Sequence, residues 1–417
     1  MNVPASITRI ILFSISLAVS LSSFAFDIKP ERRKDQNLTT PGYFVLPLPY
    51  SKPGIGKGFL LLGNIANVAE TTADLSAILV TGDAGGTILN GEEIPLISDW
   101  LSLEFYYQNI NKANINQYTK RGMETSNKND FKIIEVGLAK QLSTTLVFNN
   151  YNKRLNFYYT HNDSEFELSK IKDHTGKLIQ TTNYSGSNES DSFKFELDYT
   201  DDYLDPRNGI RLGVTYQDHK ATSTDNPDFY TLDYDIQSYF PFRENDTLVV
   251  NYYQSDAHVK RIGNTDPATV RAQLGLNCGS DPTCLQTEQE LVDSNINERT
   301  YGSASSLGGD SRLRAYPQGR YQGAHSAFLG AEYRWNITEE ATPFDYFIWK
   351  DVRTAIQVAF FTSVGTVSET SANLWNETRY AYGAGLRLIT GSGGVYRLDL
   401  ASGNEGFQTT IIFNYPW

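Results

Sequence analysis

The chain has 417 residues, a formal charge of −12 and a mean hydropathy of −0.40. An acidic balance of this size excludes a polyanion held by bulk electrostatics, so no nucleic acid is expected as a partner. Beyond the first residues no apolar run reaches the roughly 20 residues a spanning helix needs, which excludes a helical membrane bundle but not a transmembrane barrel, whose strands show only alternate residues to lipid.

Residues 1–25 carry Arg9, an apolar run from Ile10 to Leu21, and Ser23-Phe24-Ala25, a small-x-small processing pattern. The run is broken by Ser14, Ser16 and Ser20, so 1–25 reads as a secretory signal peptide rather than an anchor. Residues 26–56 hold Pro41, Pro47, Pro49 and Pro53 and read as a short extended periplasmic segment, too small for a folded domain. The remainder, 57–417, is expected to be one β-barrel. Most of the chain's 26 tyrosines and 22 phenylalanines fall here, evenly spread.

Strands dividing lipid from a polar interior alternate at period two over about ten residues. Phe193, Phe195, Leu197 and Tyr199 share one face, and Lys194, Glu196, Asp198 and Thr200 the other. Leu232, Tyr234 and Ile236 stand against Asp233, Asp235 and Gln237, and Ala331, Tyr333, Trp335 and Ile337 against Glu332, Arg334 and Asn336. Such strands are expected at 57–68, 73–83, 98–109, 130–141, 145–168, 191–202, 209–220, 229–242, 246–259, 324–338, 353–366, 380–390, 395–402 and 407–417, which makes 14. The stretch 145–168 is long for one strand and 84–130 is hard to divide, so a further pair fits and the count is 14 or 16. Long outer connections are expected at 171–190 and 260–323. A soluble sandwich also alternates, but strand lengths near ten, a heavily aromatic apolar face and markedly unequal connections favour a transmembrane antiparallel β-barrel. Its inner face would carry Glu104, Glu135, Lys194, Glu196, Asp198, Arg211, Arg387, Arg397 and Asp399, whose mixed signs predict no clear ion preference.

Cys278 and Cys284 flank the turn-forming string GSDPT in the longest outer connection. In an exported chain this even pair reads as a loop disulfide, and no histidine lies nearby to complete a metal site. His161, His174, His219, His258 and His325 belong to no motif pairing a base with a nucleophile. No enzymatic activity, cofactor or metal is expected.

Three segments carry a resemblance. One is Asp205-Pro206-Arg207-Asn208-Gly209 followed by IRLGVTY; the second is Leu307-Gly308-Gly309 with Arg312-Leu313-Arg314-Ala315-Tyr316; the third is the stretch from YAYGAGLRL to the end. Together they resemble the barrel domain of the BamA/TamA-like outer-membrane assembly and surface-antigen superfamily, in a form lacking periplasmic polypeptide-transport-associated domains. The resemblance implies 16 strands and a long outer loop folded into the lumen, with Gly308, Gly309, Arg314 and Tyr316 as its motif. By itself Arg314 would read as a solvated loop charge; the resemblance implies that it pairs with an acidic group of the inner wall. Two positions depart from the family pattern. Ala315 stands where glycine is usual, and Ser363, in Phe361-Thr362-Ser363-Val364-Gly365, where the acidic partner is usual. Glu332, inward by alternation, is therefore the expected partner of Arg314.

In the last expected strand Phe407, Thr409, Ile411, Phe413, Tyr415 and Trp417 fall on one face. This resembles the C-terminal recognition strand read by the barrel assembly machinery, although Pro416 cannot donate to a ladder. The resemblance implies a protein of the Gram-negative cell outer membrane that assists insertion or translocation of proteins or lipids through a seam between first and last strands. Implied partners are outer-membrane lipids and lipopolysaccharide, the barrel assembly machinery for its own insertion, and a periplasmic partner protein. The alternative is a passive channel or structural surface antigen without assembly activity.

Overall fold

The computed structural model describes residues 41–97, 100–123, 128–150, 153–203, 205–221, 223–243, 245–338, 344–352, 354–390 and 394–417. The expected signal peptide at 1–25, and the part of the expected lead-in segment before residue 41, lie outside these.

Alternating chemistry produces a closed antiparallel barrel of 16 strands. In chain order they are β1 (Gly42–Lys52), β2 (Gly56–Ala66), β3 (Asp74–Gly82), β4 (Gly85–Ile97), β5 (Leu101–Gln117), β6 (Lys132–Asn150), β7 (Leu155–Lys172), β8 (Leu178–Asp198), β9 (Gly209–His219), β10 (Asp228–Pro241), β11 (Thr247–Arg261) and β12 (His325–Asn336). A short hairpin follows, β13 (Phe344–Tyr346) and β14 (Trp349–Val352). The wall resumes with β15 (Thr354–Ser368), β16 (Arg379–Thr390), β17 (Val395–Gly403) and β18 (Gly406–Phe413). Each wall strand pairs with its neighbour in sequence, β12 pairing directly with β15 across the hairpin.

Large apolar side chains cover the outside, among them Phe59, Phe157, Phe193, Trp335, Phe360, Tyr382 and Leu400. That side is what lipid would cover. The alternate residues of β12, β15, β16 and β17 are buried on the inner face. No helix among the described residues is long and apolar enough to cross a membrane.

The two strands that sequence reading missed are β1 and β4. β1 hides within the expected lead-in at 26–56, because Pro47 and Pro49 signal a non-strand. β4 carries glycines, Pro95 and the left-handed Glu93, with register shifts between Gly91 and Ile94. The stretch 145–168 divides between β6, which ends at Asn150, and β7, which begins at Leu155. The expected outer loop at 171–190 is instead mostly strand, since β7 runs to Lys172 and β8 begins at Leu178.

The 260–323 connection holds α1 (Pro267–Leu274) and α2 (Pro282–Tyr301) at one end of the barrel. Proline opens each helix. Asp266 accepts from the Thr269 amide, and Asp281 from the amides of Thr283 and Cys284. The Thr269 hydroxyl holds the Asp266 carboxyl below the usual carboxylate range. Cys278 and Cys284 are joined just ahead of and within the first turn of α2. Lys132 on β6 faces Glu290 of α2 at 3.5 Å, and Gln180 on β8 bonds Gly275 and Asn277. The helices are thereby tied to the extended ends of β6 and β8.

Candidate functional site: a buried charge cluster and an open seam

Past α2 the chain folds back on itself. Gly308 and Gly309 adopt φ of +104° and +109°, and a Cβ on Gly308 would sit 2.3 Å from the Pro317 carbonyl oxygen. Only glycine allows the two arms of this turn to approach so closely. Gly308 donates to Arg312 O and Gly309 to Tyr316 O, while Leu307 and Tyr321 bridge the arms. The left-handed residue within the turn is Leu313, at φ +52°. Ala315 is not among the described residues with positive φ, so its methyl group is compatible with the turn.

This turn packs against the buried face of β11, β12, β15, β16 and β17. Leu307, Leu313, Ala315, Tyr316 and Tyr321 form one apolar cluster with Tyr253, Phe328 and Phe361. The Tyr316 hydroxyl donates to Tyr380 O at 3.1 Å and accepts from the Asn404 amide at 3.1 Å. Arg320 forks onto Glu405 at 2.6 and 2.9 Å.

Arg314 lies at the tip. One Nη donates to Glu332 Oε2 and the other to Asp399 Oδ2, each at 2.8 Å, and the side chain is only 3% exposed. Glu332, with no exposed surface, also receives Arg387 at 2.5 Å and Arg334 at 2.9 Å. Asp399 also pairs with Arg397. Four guanidinium groups thus share two carboxylates. Rings and backbone carbonyls meet part of their remaining demand: the Arg314 guanidinium sits 3.4 Å from the Phe361 ring centre, and that of Arg334 sits 4.1 Å from the Tyr415 ring centre. Arg397 donates to the carbonyls of Asp310 and Asn414. Planar guanidinium groups suit this mixture of forks and stacks.

Ser363, at the position where the resemblance puts an acid, donates only a long bond to Ala381 O. Asp399, one strand beyond β16, is the second carboxylate on Arg314. Arg334, Arg387, Arg397 and Asp399 could each be placed on the inner face by alternation. Alternation gives the face of a strand but not the height at which neighbours meet, so their convergence was not legible.

The expected final strand is shorter than alternation indicates. Phe407, Ile411 and Phe413 belong to β18, which ends at Phe413. Asn414 turns left-handed at φ +72°, and Tyr415 and Trp417 leave the strand face. The Tyr415 hydroxyl donates to Asp205 Oδ1 at 2.6 Å, in the β8–β9 turn. The Trp417 indole donates to Ser311 O at 3.1 Å, and Trp417 O accepts from Arg334 at 3.2 Å. The end of the chain is therefore drawn onto the charge cluster and away from β1.

The seam between β1 and β18 shows the consequence. β1 pairs with β2 along its whole length, from Gly42 against Ala66 to Lys52 against Gly56. Against β18 only Ser51 and Ile411 are aligned. Residues two apart point their N–H and C=O groups to the same neighbour. Val45 donates to Ile348 O on the seam side, so Val45, Pro47, Pro49 and Ser51 form the seam edge. Prolines remove two of its donors. Side chains partly substitute, with Tyr396 OH donating to Pro49 O at 2.7 Å and Ser51 Oγ to Thr409 O at 3.2 Å.

Comparison with known families matches the Omp85 superfamily domain over residues 98–413. Among solved structures, a BamA from Haemophilus ducreyi lacking POTRA domains 1–3 is similar at 11% identity and a TM-score of 0.46, covering 90% of this chain and 68% of that one. CdiB from Escherichia coli is similar at 11% identity and a TM-score of 0.47, covering 89% of this chain and 62% of that one. CdiB from Acinetobacter baumannii gives 12% identity and a TM-score of 0.43, covering 89% of this chain and 59% of that one. This chain thus spans about two thirds of the length of these proteins or somewhat less. No curated protein matches it.

Proposed function

This chain belongs to the Omp85 superfamily, and on that premise we propose that it assists insertion or translocation of polypeptide or lipid at the outer membrane of a Gram-negative bacterium, through the seam between β1 and β18. The observation that carries this reading is the seam itself: one aligned pair, with Pro47 and Pro49 on its edge. An edge whose carbonyls at Val45 and Pro49 are met by side chains instead of a ladder, and which has few donors of its own, accepts N–H groups from an incoming strand that displaces them. The reading is non-enzymatic. It puts α1 and α2 on the cell surface and the opposite end of the barrel in the periplasm. The Gly308–Tyr321 turn becomes a lumen plug held by Arg314. Outer-membrane lipids and lipopolysaccharide surround the wall, the barrel assembly machinery inserts the protein itself, and a periplasmic partner delivers clients.

The test is the folding rate of a small client barrel into liposomes with and without the purified protein, beside an unrelated barrel. Specific acceleration is expected. Absence of acceleration together with appreciable ion flux would identify a channel or surface antigen instead.

A further inference from the structure

β18 stops short of the first residues of β1, which leaves the edge from Tyr43 to Val45 without a wall neighbour. Another part of the chain lies there. The β13–β14 hairpin, carried on the turn between β12 and β15, aligns Trp349 with Phe44 and Lys350 with Tyr43 in antiparallel register. Val45 donates its amide to Ile348 O at 3.1 Å, and the Trp349 indole donates to Val45 O at 3.0 Å. The hairpin therefore reaches from β12 and β15, past β16, β17 and β18 in the wall order, to bond the free edge of β1. Its grip is small: a two-residue register and an indole bond, with Phe347 left 89% exposed at the tip.

We propose that the β13–β14 hairpin is a displaceable surrogate strand, which occupies the Tyr43–Val45 edge until an extended polypeptide segment takes its place. This rests on the seam reading above and names how that seam is guarded. Two physical arguments support it. An exposed edge carrying Tyr43, Phe44 and Val45 is an aggregation template that a cover removes. A cover held by a two-residue ladder, the Val45–Ile348 bond and one indole bond, each hydrogen bond with a net worth of about 1 kcal/mol, yields to a segment that pairs along more of β1. Pro47 and Pro49 stop the edge from closing on β18, so the hairpin is the element that competes with an incoming strand.

The test uses the full-length protein in detergent or liposomes with benzoyl-phenylalanine replacing Tyr43, and a synthetic peptide of the β18 sequence, residues 406–413, as probe. Photocrosslinking is measured in three forms: the parent, a form with 344–352 replaced by a short Gly-Ser turn, and the F44C/W349C double variant. Phe44 and Trp349 face each other in a non-hydrogen-bonded pair, the closer of the two antiparallel spacings and within disulfide reach. The native Cys278–Cys284 bond lies at the opposite end of the barrel. Removing the hairpin is expected to raise crosslinking about tenfold. The oxidised double variant should fall below the parent and recover on reduction, which needs no deletion and so stands even if the shortened turn misfolds. Crosslinking indifferent to both changes overturns the guard, even where client folding is accelerated. Crosslinking that follows the hairpin while clients fold no faster upholds the guard and removes the insertion reading instead.

Discussion

The wall from β12 to β17 and the seam from β18 to β1 are built from the same antiparallel strands, yet they are held in opposite ways. On the wall every strand is paired through its length, and its inner face carries Glu332, Asp399 and three arginines, the two carboxylates being paired with Arg314 of the Gly308–Tyr321 turn. At the seam the ladder is reduced to Ser51 and Ile411, and side chains from Tyr396, Ser51 and Trp349 do what backbone does elsewhere. The two regions are connected by the tail. By bonding Ser311 and Arg334, Trp417 turns the chain inward just where β18 would otherwise continue along β1. Charges that make one side of the barrel rigid thereby help to keep the other side open.

That contrast can be broken most forcefully at Glu332. The Glu332→Ala change leaves Arg314, Arg334 and Arg387 buried without their common anion, with an expected cost of about 3–5 kcal/mol. The loss should appear as a lower unfolding midpoint in the heat-modifiability shift on gels; an unchanged midpoint would refute the cluster's structural role. Gly308→Ala comes next, since a side chain at φ +104° with a backbone oxygen in its way costs about 1–3 kcal/mol. Protease sensitivity should increase within 302–324 while the wall strands stay protected.

At the seam a gain is expected rather than a loss. Pro49→Thr restores a donor opposite Phe413, the position next in register after Ser51 and Ile411, and should add about 0.5–1.5 kcal/mol of pairing. Slower amide exchange in β18 and slower client folding would follow; faster exchange would contradict the assignment of this edge. The smallest effect belongs to the outer cap. Asp281→Ala removes the acceptor for two amides at the start of α2, worth about 0.5–1 kcal/mol at an exposed helix end. Exchange should rise in the first turn of α2 and nowhere near Arg314.

Most of the wall was legible because period-two alternation is a local property of the chain. It placed 14 strands, and it set Arg334, Arg387, Arg397 and Asp399 on the inner face before any neighbour was known. The misses share one cause. β1 and β4 carry proline and glycine, which signal a break when the strand is assumed to be paired on both edges. β1 departs from that assumption, because its Pro47 and Pro49 point at the seam, where few ladder bonds exist to be lost. Tyr415 and Trp417 keep the alternation of β18 in sequence but not in space, since a left-handed Asn414 ends the strand and contacts 83 to 210 residues away decide where the tail goes.

By itself the sequence determined the architecture of this protein, the polarity of each face of the wall and the glycine pair that permits a tight turn beside Arg314, because these depend on spacing and on the chemistry of single residues. Tertiary structure alone decided that Arg314 meets Asp399 as well as Glu332, that the tail turns inward, and that a hairpin between β12 and β15 covers the start of β1. Each of these depends on the stagger and closure of the barrel, which bring distant strands to a common height, and no local pattern records that height.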